Sequence, residues 1–372
     1  MSPDLIPAVD PAGLPGPVWL FQVLLVLTFF LHLVFMNLTL GGTLLAAVAH
    51  ALAKGRGEHH LGVFAGRMTA VNGFAISLTI TTGIAPLLFM QVLYQQYFYT
   101  ATILIGWIWL TLLVLLTVGY YAVYLYKFRG TPTRGAGGGF WIWTSAVLFL
   151  LIAMIHVAVH LIHAQPGLWA ELDLNPWAVL ADPTYWPRLL HFVFAGIGFS
   201  AALTAWWAVR QAGSGVDAET NGGIARFAWT WLLWTTVLQV ADGFLLLLLL
   251  PREVLLGLMR GGAATMVPLT VAILLGIGLL MMIVRVRNPI DSPGTVTGVL
   301  AAITLTVAIM AITRHQVRLL YLAPSTELTV FRTAPQWLNF GLFALLLVAG
   351  LAVVAYMARK VLLSPATGED AA

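Results

Sequence analysis

The sequence predicts an all-α, polytopic membrane protein of nine transmembrane helices, with the N-terminus outside and the C-terminus inside. Three observations carry that reading. Hydrophobic residues make up 60% of the chain and charged residues only 9%, whereas a soluble domain carries about 25% charged residues. Nine apolar runs are long enough to cross a bilayer. Lysine and arginine are concentrated in one set of the loops between those runs.

A helix needs about 20 apolar residues to span the hydrocarbon core, and the runs that qualify are 18–48, 68–90, 99–124, 140–163, 189–209, 227–250, 266–284, 295–312 and 337–357. Residues 1–17 contain Asp4 and Asp10 but no Lys or Arg, so they lack the basic start of a signal peptide. The apolar run that follows is too long for one, and the first span is read as retained. Lys54, Arg56, Arg67, Lys127, Arg129, Arg134, Arg210, Arg226, Arg285, Arg287, Arg359 and Lys360 fall on one side. Arg188, Arg252, Arg260, Arg314, Arg318 and Arg332 fall on the other, where the loop 164–187 is acidic through Glu171, Asp173 and Asp182. The positive-inside rule places the first set in the cytoplasm.

The chain divides into an outer segment 1–17, spans one to five in 18–212, spans six to nine in 213–358 and a cytoplasmic tail 359–372. The first four spans are joined by short loops and suit a four-helix bundle, which builds cofactor sites from inward-facing side chains. The Gly-rich stretch 130–139 reads as a flexible cytoplasmic connector. A net charge of +4 follows from cytoplasmic Lys and Arg and implies no nucleic-acid partner. With no cysteine, disulfides, Fe–S clusters, thiolate metal sites and covalently attached c-type haem are excluded.

Nine histidines sort by depth. His50, His59 and His60 lie at the inner end of the first span and read as a solvated or headgroup-facing cluster. His32, His156, His160, His163, His191 and His315 all fall in the outer half of the membrane or at its outer edge. Spacings of four and three put His156, His160 and His163 on one helix face. Intramembrane polar residues are costly and usually functional. Neutral imidazole is an iron ligand when its second nitrogen has an acceptor. Di-iron bundles need inward Glu residues, and spans one to five hold no carboxylate. Haem b requires only one or two axial ligands per iron, so two or more haems are expected, with His32, His156 and His160 as ligands and His163 placed beside them, while spacing alone leaves His191 undecided.

The run Leu31-His32-Leu33-Val34-Phe35-Met36-Asn37-Leu38-Thr39-Leu40-Gly41-Gly42 resembles the start of subunit I of cytochrome bd quinol oxidase. In that family a first-helix His ligates a high-spin haem. Asn72-Gly73-Phe74-Ala75 and Thr82-Gly83 are similar to its second helix, and His191-Phe192-Val193-Phe194-Ala195-Gly196-Ile197-Gly198 to the segment whose His binds the low-spin haem. The resemblance covers spans one to five and implies quinone as substrate, a multi-subunit complex and a bacterial inner membrane. In the family a seventh-helix Met completes the low-spin haem, which points to Met266, with Met259 just before it. The family's third-helix glutamates are missing, since residues 100–128 contain no Asp or Glu. Its fourth helix lacks the His series found here. Together the departures imply an electron relay rather than oxygen reduction.

Asp242 is the one acidic residue well inside a predicted span, with Gln239 one turn before it. It suits a proton path, a quinol contact or a hydrogen bond to a neighbouring helix. Gln91 opens an uncharged Tyr- and Gln-rich connection, 91–100, that suits the border of a quinone site. Arg314, His315 and Arg318 cluster on the less basic side and suit haem propionates or a redox partner. The expected function is quinol oxidation, or quinone reduction, by a haem b subunit that exchanges electrons with an extracytoplasmic partner such as a c-type cytochrome. The alternatives are a terminal quinol:oxygen oxidase and a haem-free transporter or anchor.

Overall fold

The computed structural model describes residues 6–8, 10–130, 138–325 and 332–363. Among them are nine helices long and apolar enough to cross a membrane. These are α1 (Val18–Arg56), α2 (His59–Leu93), α4 (Gly106–Arg129), α5 (Gly139–Ala164), α7 (Tyr185–Gly213), α8 (Ala218–Leu249), α10 (Ala263–Arg285), α11 (Pro293–Leu322) and α12 (Trp337–Leu363). Three short helices, α3 (Gln95–Leu104), α6 (Trp169–Leu174) and α9 (Arg252–Arg260), lie in connections on the face that carries the N-terminus. The predicted connector 130–139 falls mostly outside the described residues.

Local chemistry sets the ends of these elements. Pro17 precedes α1 in an extended conformation, and Gly57 ends it at φ 69°, with its N–H donating to the Ala53 carbonyl. That left-handed cap suits Gly because it has no Cβ to clash. Asp217 caps α8, its carboxylate accepting from the Thr220 N–H. The third predicted span is corrected at its start. Residues 95–104 form the separate helix α3, and the chain turns at Ile105 before α4 begins at Gly106. An apolar run continues across that turn, so hydropathy alone cannot register it.

α1 is the central rod. It packs on α2, α5, α7 and α11, and its middle is lined with small or polar buried residues: Asn37, Thr39, Gly41, Gly42, Thr43, Ala46 and Ala47. Lipid tails supply no hydrophobic drive for helix pairing, so helices in membranes gain by close backbone approach and by hydrogen bonds. At the α1–α7 crossing a methyl on Gly41 would overlap the backbone of Gly196, and Ser200 Oγ donates to the Asn37 carbonyl at 3.0 Å. Along α1–α2, Thr39 and Thr79 hydroxyls meet at 2.9 Å, and the Asn72 amide meets the Thr43 hydroxyl at 2.9 Å. α4 and α5 are joined by the Ser145 hydroxyl on the Gly119 carbonyl at 3.0 Å.

α12 stands at the edge. No part of its most apolar window is buried, and its contacts are made near its first turns, where Phe340 meets Phe21 and Phe343 meets Phe89 edge-on. The preceding segment is pinned by Leu14, which donates to the Arg332 carbonyl at 2.8 Å and accepts from the Ala334 N–H at 2.7 Å.

Candidate functional site

Six histidines and three arginines gather towards the face that carries the N-terminus, brought there by α1, α5, α7 and α11. Their local bonding sorts them. His32 Nδ1 lies 3.0 Å from the Thr79 carbonyl, His156 Nδ1 2.9 Å from that of Ile152, and His163 Nδ1 3.1 Å from that of Val159. His191 Nδ1 lies 3.0 Å from Asp242 Oδ2. A carbonyl or carboxylate only accepts, so each Nδ1 carries a proton, and in the neutral ring each Nε2 keeps its lone pair. That is the tautomer a metal-ligating imidazole needs, with its rear nitrogen tied to an acceptor.

Packing holds the rings in these positions. A Cβ on Gly83 of α2 would sit 2.9 Å from the His32 ring, so only glycine admits the ring there without a shift. His156 is exposed and meets Trp109 of α4 edge-on at 5.7 Å. An imidazole exposed at this depth faces lipid unless another group covers it, and lipid offers it no hydrogen bond. His160 and His163 are buried with ring centres 5.2 Å apart, and both His160 Nδ1 and His163 Nε2 are buried without partners.

His315 differs from the others. Arg318 Nη1 lies 3.5 Å from His315 Nδ1, a long contact whose polarity is nonetheless fixed, because guanidinium only donates. Its Nε2 is then the protonated nitrogen, and it is buried without a partner. His315 thus presents a donor, which suits an anion better than a metal.

The arginines share that demand. Arg188 and Arg318 are buried, and Arg314 is half-buried with an unpartnered Nε. Arg188 donates to Thr184 Oγ1 at 3.0 Å and to the Tyr321 hydroxyl at 3.2 Å. Arg314 lies over the rings of Phe29 and Phe192, and Arg318 over Tyr94. Burial pushes the Tyr94 phenol up, against the opposing pull of Arg318. The ion pairs among the described residues are Arg56–Glu58, His60–Glu58 and His191–Asp242, and none neutralises the three guanidiniums. Taking an unpaired charge out of water costs several kcal/mol, so the cluster calls for an anionic group.

Beside it a cavity of about 260 Å³ opens between α1, α5, α7, α8, α9, α10 and α11. Its walls are mostly aliphatic and aromatic, with Asn37, His160, Arg188, His191, Gln239 and Arg314 as polar features. Asn37 Oδ1 and Gln239 Oε1 are buried without partners. Apolar walls with a few convergent polar groups are the usual form of a small-molecule site. Among the described residues no three His, Asp or Glu converge closely enough to hold a bare metal ion.

Sequence expectations meet this geometry unevenly. Asp242, expected to need a partner, finds it in His191. Met266 and Met259 are exposed and do not line the cavity, whereas Met310 of α11 does. Gln91 is half-buried in the last turn of α2, away from the cavity, and the connection after it is helical. The inner cluster is corrected at His50, which is buried with Nδ1 3.0 Å from the Tyr126 hydroxyl rather than solvated. The sequence marks Arg188 only as a basic residue of the outer side, whereas the structure buries it beside the site. Its spacing of three from His191 was the available signal that both face inward.

The fold and the gathered histidines define a polytopic helical membrane protein with a buried, cationic, imidazole-rich site near one face. No family model matches the chain, and no curated protein matches it. Among solved structures it is similar to the bd oxidase from Geobacillus thermodenitrificans, with a TM-score of 0.74 over 94% of this chain and 99% of that one, at 13% identity. The chain therefore has a bd-oxidase-like fold.

Proposed function

We propose that this chain is the haem b subunit of a bacterial inner-membrane complex that oxidises quinol, or reduces quinone, and exchanges electrons with an extracytoplasmic partner such as a c-type cytochrome. The observation that carries the reading is the state of four imidazoles. His32, His156, His163 and His191 each have Nδ1 tied to an acceptor and Nε2 free, and all lie towards one face. The residues fit the group. His32, His156 and His191 would bind iron, joined by His160, whose Nδ1 is free. Arg314, Arg318 and the His315 donor would hold propionates, which supply the missing anionic charge. The apolar cavity walls suit the rim of a macrocycle.

Haem, when bound, supplies one-electron chemistry; the chain's own residues fix ligand tautomers, exclude water and balance charge. Gln91 and Asp242 were the quinone or proton candidates. With Asp242 committed to His191, the polar lining at Gln239 becomes the better quinone contact. A reduced-minus-oxidised spectrum of purified protein should show sharp b-type bands with more than one haem per chain. A spectrum without a Soret band would return the chain to the transporter or anchor class.

The bd-oxidase-like fold favours a second reading, a terminal quinol:oxygen oxidase. Against it, α4 carries no Asp or Glu along its whole length. Carbon monoxide separates the two, because only a haem with an open axial position binds it extensively.

A further inference from the structure

Asp242 is the one buried acidic side chain among the described residues. It sits on α8, 51 positions along the chain from its partner on α7, and its Oδ2 lies 3.0 Å from His191 Nδ1. The carboxylate is 7% exposed and the imidazole 20%, so neither is freely exchanged for water. The next residue, Gly243, makes room for the ring: a Cβ there would lie 3.3 Å from His191 Cε1, tighter than most real contacts. Asp242 and Gly243 thus form a bracket, one residue setting the proton and the other the plane of the ring. Both His191 and Gly243 line the apolar cavity. Of the four site histidines whose Nδ1 faces a carbonyl or carboxylate, only His191 is held by a charged acceptor, the others resting on backbone carbonyls of α2 and α5.

We infer that Asp242 is a positioning residue that makes His191 a stronger electron donor to the iron it would ligate than the other imidazoles of the site. The inference rests on the proposed haem function. A carboxylate hydrogen bond behind a ligating imidazole raises its basicity and fixes its orientation. A more basic axial ligand favours the oxidised metal, as does a buried negative charge close by. A haem on His191 would therefore have a lower potential than it would have without the Asp242 carboxylate.

The test compares three variants purified as the full-length chain in detergent, each assayed for haem per polypeptide and by potentiometric titration of the b-type bands. Asp242→Asn keeps the size of the side chain and removes the charge. It should retain haem while one centre becomes about tenfold easier to reduce, about 59 mV for a one-electron couple. Asp242→Glu restores a carboxylate and should bring the potential back towards native. His191→Ala should remove one haem. If His191→Ala loses a haem but both Asp242 variants titrate like native protein, the positioning role is overturned and the haem function stands. If His191→Ala keeps every haem, His191 is no ligand and both fall. Should Asp242→Asn fail to accumulate, Asp242→Ala takes its place: a raised potential with haem retained supports the role, and an unshifted one overturns it.

Discussion

At the scale of single residues, the site is organised by what stands behind each imidazole. His156 and His59 give the sharpest contrast, since both are exposed side chains of the same chemistry. His156→Ala should strip haem from the purified protein, while His59→Ala should leave its spectrum unchanged; equal effects would remove the argument from depth. Gly83 makes a subtler case. Gly83→Ala places a methyl 2.9 Å from His32 and should displace the ring at a cost of about 1–3 kcal/mol, visible as reduced haem content with other bands intact. The sequence made these residues partly legible. Spacing along one helix revealed the face shared by His156, His160 and His163, and resemblance singled out His32 and His191. Pairings between helices stayed hidden: nothing local to His50 announces Tyr126, 76 positions away, and nothing local to Asp242 announces His191.

At the scale of helices, span number and order were readable because a bilayer imposes a length on every crossing. Helix ends and the break at Ile105 were not, since turn geometry is settled by neighbours and not by hydropathy. Small residues decide how closely the rods approach. Gly41→Val should destabilise the protein by at least about 1–3 kcal/mol, because the atoms it meets belong to the Gly196 backbone and cannot swing aside. Gly276→Ala is the control: its nearest neighbour would be Val240 at 3.8 Å, an ordinary contact, and the thermal unfolding midpoint in detergent should hold. A matching fall in both would place the cost in any added side chain rather than in the α1–α7 crossing, because either substitution improves helix propensity over glycine.

At the scale of the whole molecule, the distribution of chemistry is one-sided. The six histidines and three arginines of the site lie towards the N-terminal face, while the opposite side holds His50 on Tyr126, Arg67 on Asn221 at 2.8 Å and the Glu58 pairs with Arg56 and His60. A path of haems across the bilayer needs ligands at both levels. Electrons are accordingly expected to enter and leave on one face, so that turnover moves none across the membrane. In vesicles of known orientation, an impermeant acceptor should be reduced from the N-terminal face only, and rapid reduction from the face bearing Lys127 and Arg129 would overturn this.

The length of the first two helices has a mechanical consequence. At 1.5 Å per residue, the 39 residues of α1 and the 35 of α2 make rods of roughly 58 Å and 52 Å, against a hydrocarbon core of about 30 Å. With Lys54, Arg56 and Glu58 around it, their joint at Gly57 is expected beyond the hydrocarbon core. Thr39 with Thr79 and Asn72 with Thr43 fasten the two rods into one beam, and the crossing of Gly41 on Gly196 is its fulcrum. His32 and Gly83 ride on the short arm. A push at the tip is carried along the beam instead of being absorbed in a loop, so whatever grips the hairpin on the far side has leverage on an imidazole it never touches.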